Sequence, residues 1–494
     1  MKLNVLLKVI NLKEVFGNTD IEIEGLSYDS RNIFKNYIFF ALSGAHTDGK
    51  KFANQAVSKG AVCIVSDTKI DNCNCTNIIV DNVFEAMSKI SAKFYDYPDK
   101  KLTIIGVTGT NGKTSITYMT ESIFKNLNID IGVIGTISYR YANVTISAPN
   151  TTPQALDLYK MMAEMVKLNI KYLIMEVSSH ALALGRVSGI EFDIAVFTNL
   201  TQDHLDFHKD MKNYFDAKKT LFYSLRTNLK NNKKFAIINA DDIYGKKLLE
   251  DKNINAVKIS YSTSSKLCDF FCLAKDILLN SQYSSFNLET YLGNSQIKVS
   301  HIGLHNIYNI LAVISICMSV GIEFNKIIDS LKDMKGAPGR LEKIPSNKDF
   351  SVMVDYAHTD DALKNVLSAI KNLKPNKIIT VFGCGGNRDK TKRPKMAKVA
   401  CSMSDFVIIT SDNPREENPV DIIKDIEQGA KEINKTNYEI VVERKQAIEQ
   451  AILKAKDKDV VLIAGKGHEN YQIIGREKIH FDDKETALEI LNKI

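Results

Sequence analysis

The 494-residue chain has no Cys-x-x-Cys pair, no early apolar run long enough to cross a bilayer, and no block of basic residues. Each absence excludes something. Eight cysteines, at 63, 73, 75, 268, 272, 317, 384 and 401, are scattered. The closest spacings, Cys73-x-Cys75 and Cys268-x-x-x-Cys272, lack the second pair that a zinc site needs, so reduced cytoplasmic thiols are expected. The opening MKLNVLLKVINLKEVF is short, amphipathic and without a small-residue cleavage site; it reads as a first helix, not a signal peptide. The formal charge of +7 comes from 65 Lys and Arg against 58 Asp and Glu, spread as single lysines. That pattern is a solvated surface rather than a nucleic-acid footprint. No repeat, low-complexity tract or disordered tail is present. Neither nucleic acid nor membrane is expected as a partner.

What is present is an ordinary globular composition, 44% apolar and 25% charged, in a chain too long for one core. Two to four domains are expected. The most informative stretch is KLTIIGVTGTNGKTSITYMTESIF, residues 101–124. Leu102 to Val107 reads as a buried parallel strand that breaks at Gly106 and Gly109, then passes through Asn111-Gly112-Lys113-Thr114 into an amphipathic helix. Such a loop lets backbone N–H groups converge on an anion at a helix N-terminus. Lys113 would reach the outer phosphates of a nucleotide and the Thr114 hydroxyl would ligate Mg²⁺. The glycine that the common pattern wants five residues before Gly112 is missing, because Val107 stands there, so the motif is a shortened GxxGKT.

Around this loop the chain divides. The first hundred residues alternate strand and helix up to a polar joint at Tyr97-Pro98-Asp99-Lys100-Lys101. A long α/β region follows, with strands IDIGVIGT, KYLIMEVSS, FDIAVFTNL and KFAIINA implying a parallel sheet. Residues 246–296, rich in Ser and Asn, suggest a small antiparallel excursion, and a helix near 306–320 closes the region. Lys335-Gly336-Ala337-Pro338-Gly339 is a second joint; FSVMVDYA, KIITVFG, DFVIITSD, YEIVVE and DVVLIAGKG beyond it form a third, separate α/β domain. The expected boundaries are 1–98, 99–335 and 336–494.

Ligands of open α/β sheets bind past the carboxyl ends of the strands. Glu176 stands at one such end, followed by Ser178, Ser179 and His180; Asn199, Asp203, His204, Asp206 and His208 follow another. A hard cation near a triphosphate wants oxygen ligands with an occasional imidazole, which favours Glu176 and His204 as ligands. His180 and His208 are read as structural.

VTGTNGKT, TTP, EVSSHAL, TNLTQDHLDFH, YFDAKKTLF, GLHNIYN, PGRLE, VDYAHT, GCGGNRDKTKRP, DNPR and GKGHE occur in this order over nearly the whole chain. With these eleven motifs the chain resembles the Mur ligase family, and within it the tripeptide-forming branch. The resemblance implies a three-domain α/β architecture: a UDP-sugar-binding domain, a central P-loop-type ATPase domain and a Rossmann-like amino-acid-binding domain. It implies ATP-dependent addition of meso-diaminopimelate to UDP-N-acetylmuramoyl-L-alanyl-D-glutamate through an acyl phosphate, by a cytoplasmic, monomeric enzyme of peptidoglycan synthesis.

The resemblance also implies roles. Thr108, Gly109, Thr110, Asn111, Gly112, Lys113 and Thr114 would cradle ATP, with Asn306, Asn309, Arg340 and Asp355 to His358 around adenine, ribose and phosphates. Thr114 and Glu176 would hold one Mg²⁺; His204 and Lys218, the latter carrying a CO₂-derived carbamate, a second. Ser30 matches a uridine-side contact, and Asn150, Thr151, Thr152, Ser178, Arg186 and Lys218 match contacts to sugar and peptide. Leu184 replaces a glutamine found in some members, and no contact is expected there. Asp412, Asn413, Pro414 and Arg415, with Arg388, Gly465 and Glu469, match the diaminopimelate pocket. Two arginines suit a distal carboxylate that lysine lacks, and Glu469 with the Gly465 carbonyl suits its ammonium. Alternatives are the same ligation with L-lysine, folylpolyglutamate synthesis, or a non-catalytic nucleotide-binding module. Folylpolyglutamate synthases typically read GTNGKGS and lack the first domain and DNPR. A pure binder has no need of Lys113, Glu176, His204 and Lys218 together.

Overall fold

The computed structural model describes the whole chain except residues 45–47, 72, 227–229, 231 and 281–282. Two compact units emerge: Met1–Leu273 with Ala312–Ile327, and Ala274–Leu311 with Ile328–Ile494.

The first unit contains two sheets. In the smaller, β1 (Glu14–Phe16), β2 (Gly25–Ser27), β3 (Tyr37–Phe40), β4 (Ala61–Ser66) and β5 (Thr76–Ile79) run in the order β1-β5-β4-β3-β2. All neighbours are parallel except β1, which pairs antiparallel with β5. The opening segment is therefore not one helix. Leu3–Leu6 is helical and Leu7–Val9 a tight 3₁₀ turn that tucks Leu3, Leu6 and Leu7 into the core, whereas Val15 and Phe16 find an edge partner at Ile78 and Asn77.

The joint at 97–101 is not a loose polar linker either. Tyr97 is left-handed (φ 47°), Pro98 and Asp99 are buried, and the Asp99 carboxylate accepts from Glu191 N at 3.4 Å. Proline preset for a 3₁₀ turn makes this a packed corner.

The larger sheet comprises β6 (Thr103–Thr108), β7 (Ile131–Ile134), β8 (Ser138–Tyr141), β9 (Val144–Ser147), β10 (Tyr172–Glu176), β11 (Ile194–Phe197), β12 (Phe235–Asn239) and β13 (Val257–Ser262). They lie in the order β13-β12-β11-β6-β10-β7-β8-β9. Strands β6, β7, β10, β11, β12 and β13 are parallel, and β8 and β9 add an antiparallel edge. With β6 between β10 and β11, crossovers leave it in both directions, which opens a crevice past its carboxyl end. The strand does not break at Gly106 but runs through it; a Cβ there would lie 2.8 Å from the Phe192 ring, so glycine admits the ring.

The 246–296 region differs from expectation too. β13 is parallel to β12, and the first residues of β14 (Phe270–Leu279) are parallel to β13; only β15 (Ser284–Thr290) and β16 (Gly293–Val299) form an antiparallel hairpin. The β13 and β14 cores, with buried Ile259, Tyr261, Cys272 and Leu273, carry the apolar content that the polar flanks hide.

In the second unit β17 (Glu342–Lys343), β18 (Ser351–Asp355), β19 (Ile378–Phe382), β20 (Phe406–Ile409), β21 (Tyr438–Ile440) and β22 (Val460–Ala464) are ordered β17-β18-β22-β19-β20-β21. All are parallel except β17. Apolar clusters cover both faces, as parallel sheets require. A separate hairpin, β23 (Tyr471–Ile474) and β24 (Glu477–His480), follows. Among the described residues no helix is long and apolar enough to cross a membrane, and all eight cysteines are free thiols.

Candidate functional site

At the carboxyl end of β6 the chain turns through Gly109 (φ 144°) and Gly112 (φ 90°) directly into the helix Lys113–Asn126. The loop is pinned by the segment after β11. Thr110 N donates to Asn199 O (2.8 Å), Asn111 N to Asn199 Oδ1 (3.0 Å) and Thr198 Oγ1 to Asn111 O (2.7 Å). Thr198 presses so close that a Cβ on Gly109 would lie 1.8 Å from its Oγ1. No side chain caps the helix start, so its first amides and the positive end of its dipole face the crevice. This is an anion cradle.

Two lysines converge on it. Lys113 Nζ donates to Gly109 O (2.9 Å) and Thr110 O (2.8 Å), and Lys218 Nζ donates to the same Gly109 carbonyl (2.8 Å). Lys218 is 1% exposed and lies 4.5 Å from the Tyr214 ring. Burial, and then the neighbouring Lys113 charge, hold its pKa well below the ordinary lysine value. Tyr214 Oη lies 3.2 Å from Thr110 Oγ1, which ties the Lys218 helix to the loop.

Glu176, at the end of β10, is buried beside the helix start. Its carboxylate accepts from Thr114 Oγ1 (3.0 Å), Thr136 Oγ1 (3.0 Å) and Thr136 N (2.9 Å). A Cβ on Gly135 would lie 2.4 Å from Glu176 Oε1, so that glycine gives the carboxylate its room. Thr136 escaped the sequence reading, although it ends the quoted strand IDIGVIGT.

His204 is exposed and left-handed (φ 53°), with Nε2 3.4 Å from Asp203 Oδ2 and its ring edge-on to His180 at 4.8 Å. His208 is buried, with Nε2 2.9 Å from Ser179 Oγ. Among the described residues no three His, Cys, Asp or Glu side chains group tightly enough to hold a metal by themselves. The oxygen pair at Thr114 and Glu176 is the hard-cation feature that the geometry supplies.

Thr152 Oγ1 donates to Glu176 O (2.9 Å) and accepts from Ser178 N (3.1 Å); Arg186 Nη1 donates to Thr152 O (3.1 Å). Arg186 Nε is buried without a partner, and burial lowers the guanidinium pKa. Ser178 Oγ caps a short helix by accepting from Ala181 N (3.2 Å), and Thr151 Oγ1 lies 3.1 Å from Thr136 Oγ1. Asn150 lines a cavity of about 350 Å³ with Tyr28, Tyr139, Gln154 and Asp157. Ser30 lines another of about 560 Å³ with Arg31, Phe52, Gln55 and Gln154, its Oγ donating to Gln55 Oε1 (2.8 Å). Tyr28 and Gln154 belong to both cavities. Tyr28 Oη donates to Asp157 Oδ2 at 2.6 Å, a bond between the smaller sheet and the larger-sheet region that sequence spacing does not reveal.

In the second unit the strand ends gather the remaining residues. Asp355, at the end of β18, accepts from Leu341 N (2.6 Å) and Ala357 N (2.8 Å); burial raises its carboxyl pKa against the pull of Arg340. His358 Nδ1 lies 2.9 Å from Tyr356 O. Asn306 and Asn309, on the helix Leu304–Ser319, bond to Ile302 O (2.9 Å) and to each other (3.2 Å).

Past β20, Asn413 is a hub. Its Nδ2 donates to Glu469 Oε2 (2.9 Å), while its Oδ1 accepts from Lys466 Nζ (3.1 Å) and Ile473 N (3.0 Å). Lys466 is fully buried and 3.5 Å from Glu469 Oε2. It lies inside the quoted GKGHE yet was not among the expected site residues. Arg415 is left-handed (φ 53°), its guanidinium donating to Gly386 O (2.8 Å). A Cβ on Gly385 would lie 2.9 Å from Arg415 Nη1 and 3.9 Å from Arg388 Cγ, so both arginines flank that glycine. Gly465 (φ 119°) faces Asp412 Oδ2, which a Cβ would approach to 2.8 Å; the Asp412 carbonyl accepts from Gln472 Nε2 at 2.6 Å. Beneath lies the buried pair Arg444–Asp483 (2.7 and 2.8 Å).

Family models agree with this geometry. Residues 22–95 match the Mur ligase family catalytic domain, 107–317 the Mur ligase middle domain and 339–467 the Mur ligase glutamate ligase domain. The chain is similar to the UDP-N-acetylmuramoyl-L-alanyl-D-glutamate–2,6-diaminopimelate ligase of Alkaliphilus oremlandii, 44% identical over 100% of this chain and 99% of that protein. The enzyme of the same name from Bacillus velezensis is 44% identical over 99% and 98%. A solved structure of a ligase of this name superposes with a TM-score of 0.72 at 30% identity, covering 100% of this chain and 99% of the other. Mycobacterium tuberculosis folylpolyglutamate synthase complexed with ADP shares the fold over 77% of this chain, at TM-score 0.60 and 16% identity.

Proposed function

The chain belongs to the Mur ligase family, and from that premise we propose that it joins meso-diaminopimelate to UDP-N-acetylmuramoyl-L-alanyl-D-glutamate at the expense of ATP. The observation that carries this reading is full-length similarity to ligases of that name, together with two arginines flanking Gly385 near a buried Asn413–Lys466–Glu469 hub. A distal carboxylate would take the arginines, and Glu469 its ammonium. L-lysine would leave the arginines unmatched, which disfavours it.

The chemistry brings a triphosphate and a carboxylate together, so positive groups must be held ready. The loop amides and Lys113 would bind the phosphates and orient the terminal one toward the acceptor carboxylate. Carboxylate attack gives an acyl phosphate and ADP. The amine then attacks the acyl carbon and phosphate leaves with the bonding pair. Mg²⁺ supplies charge neutralisation when bound; Thr114 Oγ1 and Glu176 Oε2, 3.0 Å apart, suit a cation that takes one carboxylate plus phosphate oxygens.

His204 and a carbamylated Lys218 are proposed for a second cation. The lowered pKa of Lys218 supports this, because only a neutral amine attacks CO₂, forming N–COO⁻ and releasing one proton. Ser30, Asn150, Thr151, Thr152, Ser178 and Arg186 are proposed to line the path of the UDP-linked peptide. The division at 1–98, 99–335 and 336–494 accompanies the reading, supported by three separate main sheets and three family models. A cytoplasmic, single-chain enzyme acting on small molecules completes it.

The test is ADP release in the presence of the UDP-linked dipeptide, comparing meso-diaminopimelate, L-lysine and L-glutamate. Release that depends on the dipeptide and is fastest with meso-diaminopimelate is expected. Equal or faster release with L-lysine would refute the choice of amino acid, and none with any amine would refute the ligase.

A further inference from the structure

The loops around the proposed amino-acid pocket of the second unit are fastened in two ways. The GKGHE loop packs on PGRLE backbone to backbone: a Cβ on Gly339 would lie 2.2 Å from the Gly467 carbonyl carbon and 2.3 Å from His468 N. The loop after β19, which carries Arg388, also meets backbone, since a Cβ on Gly386 would lie 1.9 Å from Pro414 O. Gly386 N donates to Asn413 O (2.9 Å), and Glu416 N donates to Asn387 Oδ1 (3.1 Å). What sets this loop apart is a carboxylate.

Glu417, two residues past Arg415, reaches across and accepts from the backbone amide of Asn387, the residue before Arg388. The same carboxylate takes both arms of the fully buried Arg393 guanidinium, Nη1 on Oε2 and Nη2 on Oε1, each at 3.0 Å. Arg393 Nη2 also reaches Gly385 O at 3.3 Å, and Nη1 pairs with Asp425 Oδ2 at 2.8 Å on the helix Pro419–Glu432. The Arg393 guanidinium, then the Asn387 amide, hold the Glu417 pKa down at about 2, so the group is an anion near neutrality. A forked arginine–carboxylate pair is directional and fixes geometry as well as contributing energy. Glu417 thus latches the loop that carries Arg388 to the turn that carries Arg415. Asn387 and Arg415 are both left-handed (φ 51° and 53°), a conformation that non-glycine residues keep only where the surroundings over-determine it.

We propose that Glu417 is a positioning residue for the added amino acid: it sets the spacing of the Arg388 and Arg415 side chains so that both meet the distal carboxylate of meso-diaminopimelate. The inference rests on the ligase reading above. Glu417 acts through the two arginines and meets no substrate itself. Binding groups need such a supporting shell, because a contact placed loosely forfeits most of its worth.

The experiment measures ADP release with ATP, the UDP-linked dipeptide and meso-diaminopimelate. Glu417→Gln keeps the shape but sets an amide N–H₂ against one arm of Arg393. It should raise the KM for meso-diaminopimelate by about tenfold while the KM for ATP changes by less than about twofold. In an Arg388→Ala background the same change should raise that KM by less than about threefold, since residues that act through one another are not additive. Asp425→Asn loosens Arg393 from its helix without touching either loop, and should leave the KM for meso-diaminopimelate within about twofold of wild type. An unchanged KM in Glu417→Gln, an equal rise in the KM for ATP, full additivity with Arg388→Ala, or an equal rise in Asp425→Asn would each overturn the proposal. If Glu417→Gln does not fold, Glu417→Asp decides: its charge is kept, but its shorter arm cannot span Arg393 and Asn387 together, so an unchanged KM overturns the proposal. A wild-type chain inert with meso-diaminopimelate overturns the ligase reading and this inference with it; an active chain indifferent to Glu417 overturns only this inference.

Discussion

Lys218 and Lys466 are equally buried and differently housed. Lys218 bonds to a neutral carbonyl and lies on a phenol ring, and burial, then the neighbouring Lys113 charge, hold its pKa well below the ordinary lysine value. Lys466 has a carboxylate, Glu469, at 3.5 Å and an amide oxygen, Asn413 Oδ1, at 3.1 Å. One region houses its buried amine against a carbonyl and a ring, which favours the neutral form; the other sets a carboxylate beside it. A neutral amine can react, whereas one beside a carboxylate ties loops together. On the proposed reading the glycine loop serves chemistry and the Asn413–Lys466–Glu469 hub serves recognition.

The sharpest way to break this contrast is Lys218→Ala. If Lys218 is reactive rather than structural, turnover should fall by ~10³-fold, the upper end of what one preorganised group supplies, and added acetate or propionate should restore part of it as a substitute oxygen ligand. A fully active variant, measured by ADP release, would end the distinction. Lys113→Ala tests the other half of the shared carbonyl. A loss of at least ~10²-fold is expected, with circular dichroism unchanged.

On the recognition side, Arg415→Ala should raise the KM for meso-diaminopimelate by about 30-fold, equivalent to ~2 kcal/mol of a charge-assisted pair, and leave the KM for ATP nearly unchanged. The preference over L-lysine should narrow. Equal effects on both KM values would mean that Arg415 shapes the fold rather than the pocket.

The smallest effect concerns stability. Lys218→Met keeps the volume and removes the buried amine, while Gly109 O still accepts from Lys113. The variant should be inactive yet more stable by ~1 kcal/mol, read as a higher Tm. The sign of its pH dependence follows from linkage. The folded pKa of Lys218 lies below its ordinary value of 10.5, so below that pH the unfolded state binds the extra proton and wild type is penalised. The gap should therefore be full below the folded pKa and close as pH rises toward 10.5. A gap that widens with pH would show that Lys218 is buried charged.

Parallel strands were legible because continuous apolar runs such as LTIIGV and DVVLIAG leave little choice of element. The amphipathic opening was misjudged because helical period alone cannot separate four helical residues from a following edge strand. β23 and β24 were missed because an exposed two-strand hairpin buries few side chains, and so leaves no strong apolar alternation. In the site, glycines and charged residues at strand ends stood out in the sequence. Contacts formed between distant loops did not: the Asn413–Lys466–Glu469 hub spans more than 50 residues, and Tyr28–Asp157 spans 129. Thr136 was hidden for a simpler reason. A threonine after a strand has many local uses, and only the fold brings it to Glu176.

The contact between Gly339 and Gly467 limits how this protein can be redesigned. Both are left-handed, at φ 62° and 55°, and each would drive even a methyl group into the backbone of the other's loop. They behave as one inseparable position: replacing either alone collides, and replacing both doubles the collision. Any attempt to retune the proposed amino-acid pocket must leave this pair untouched and work instead through the Arg388 and Arg415 side chains beside Gly385.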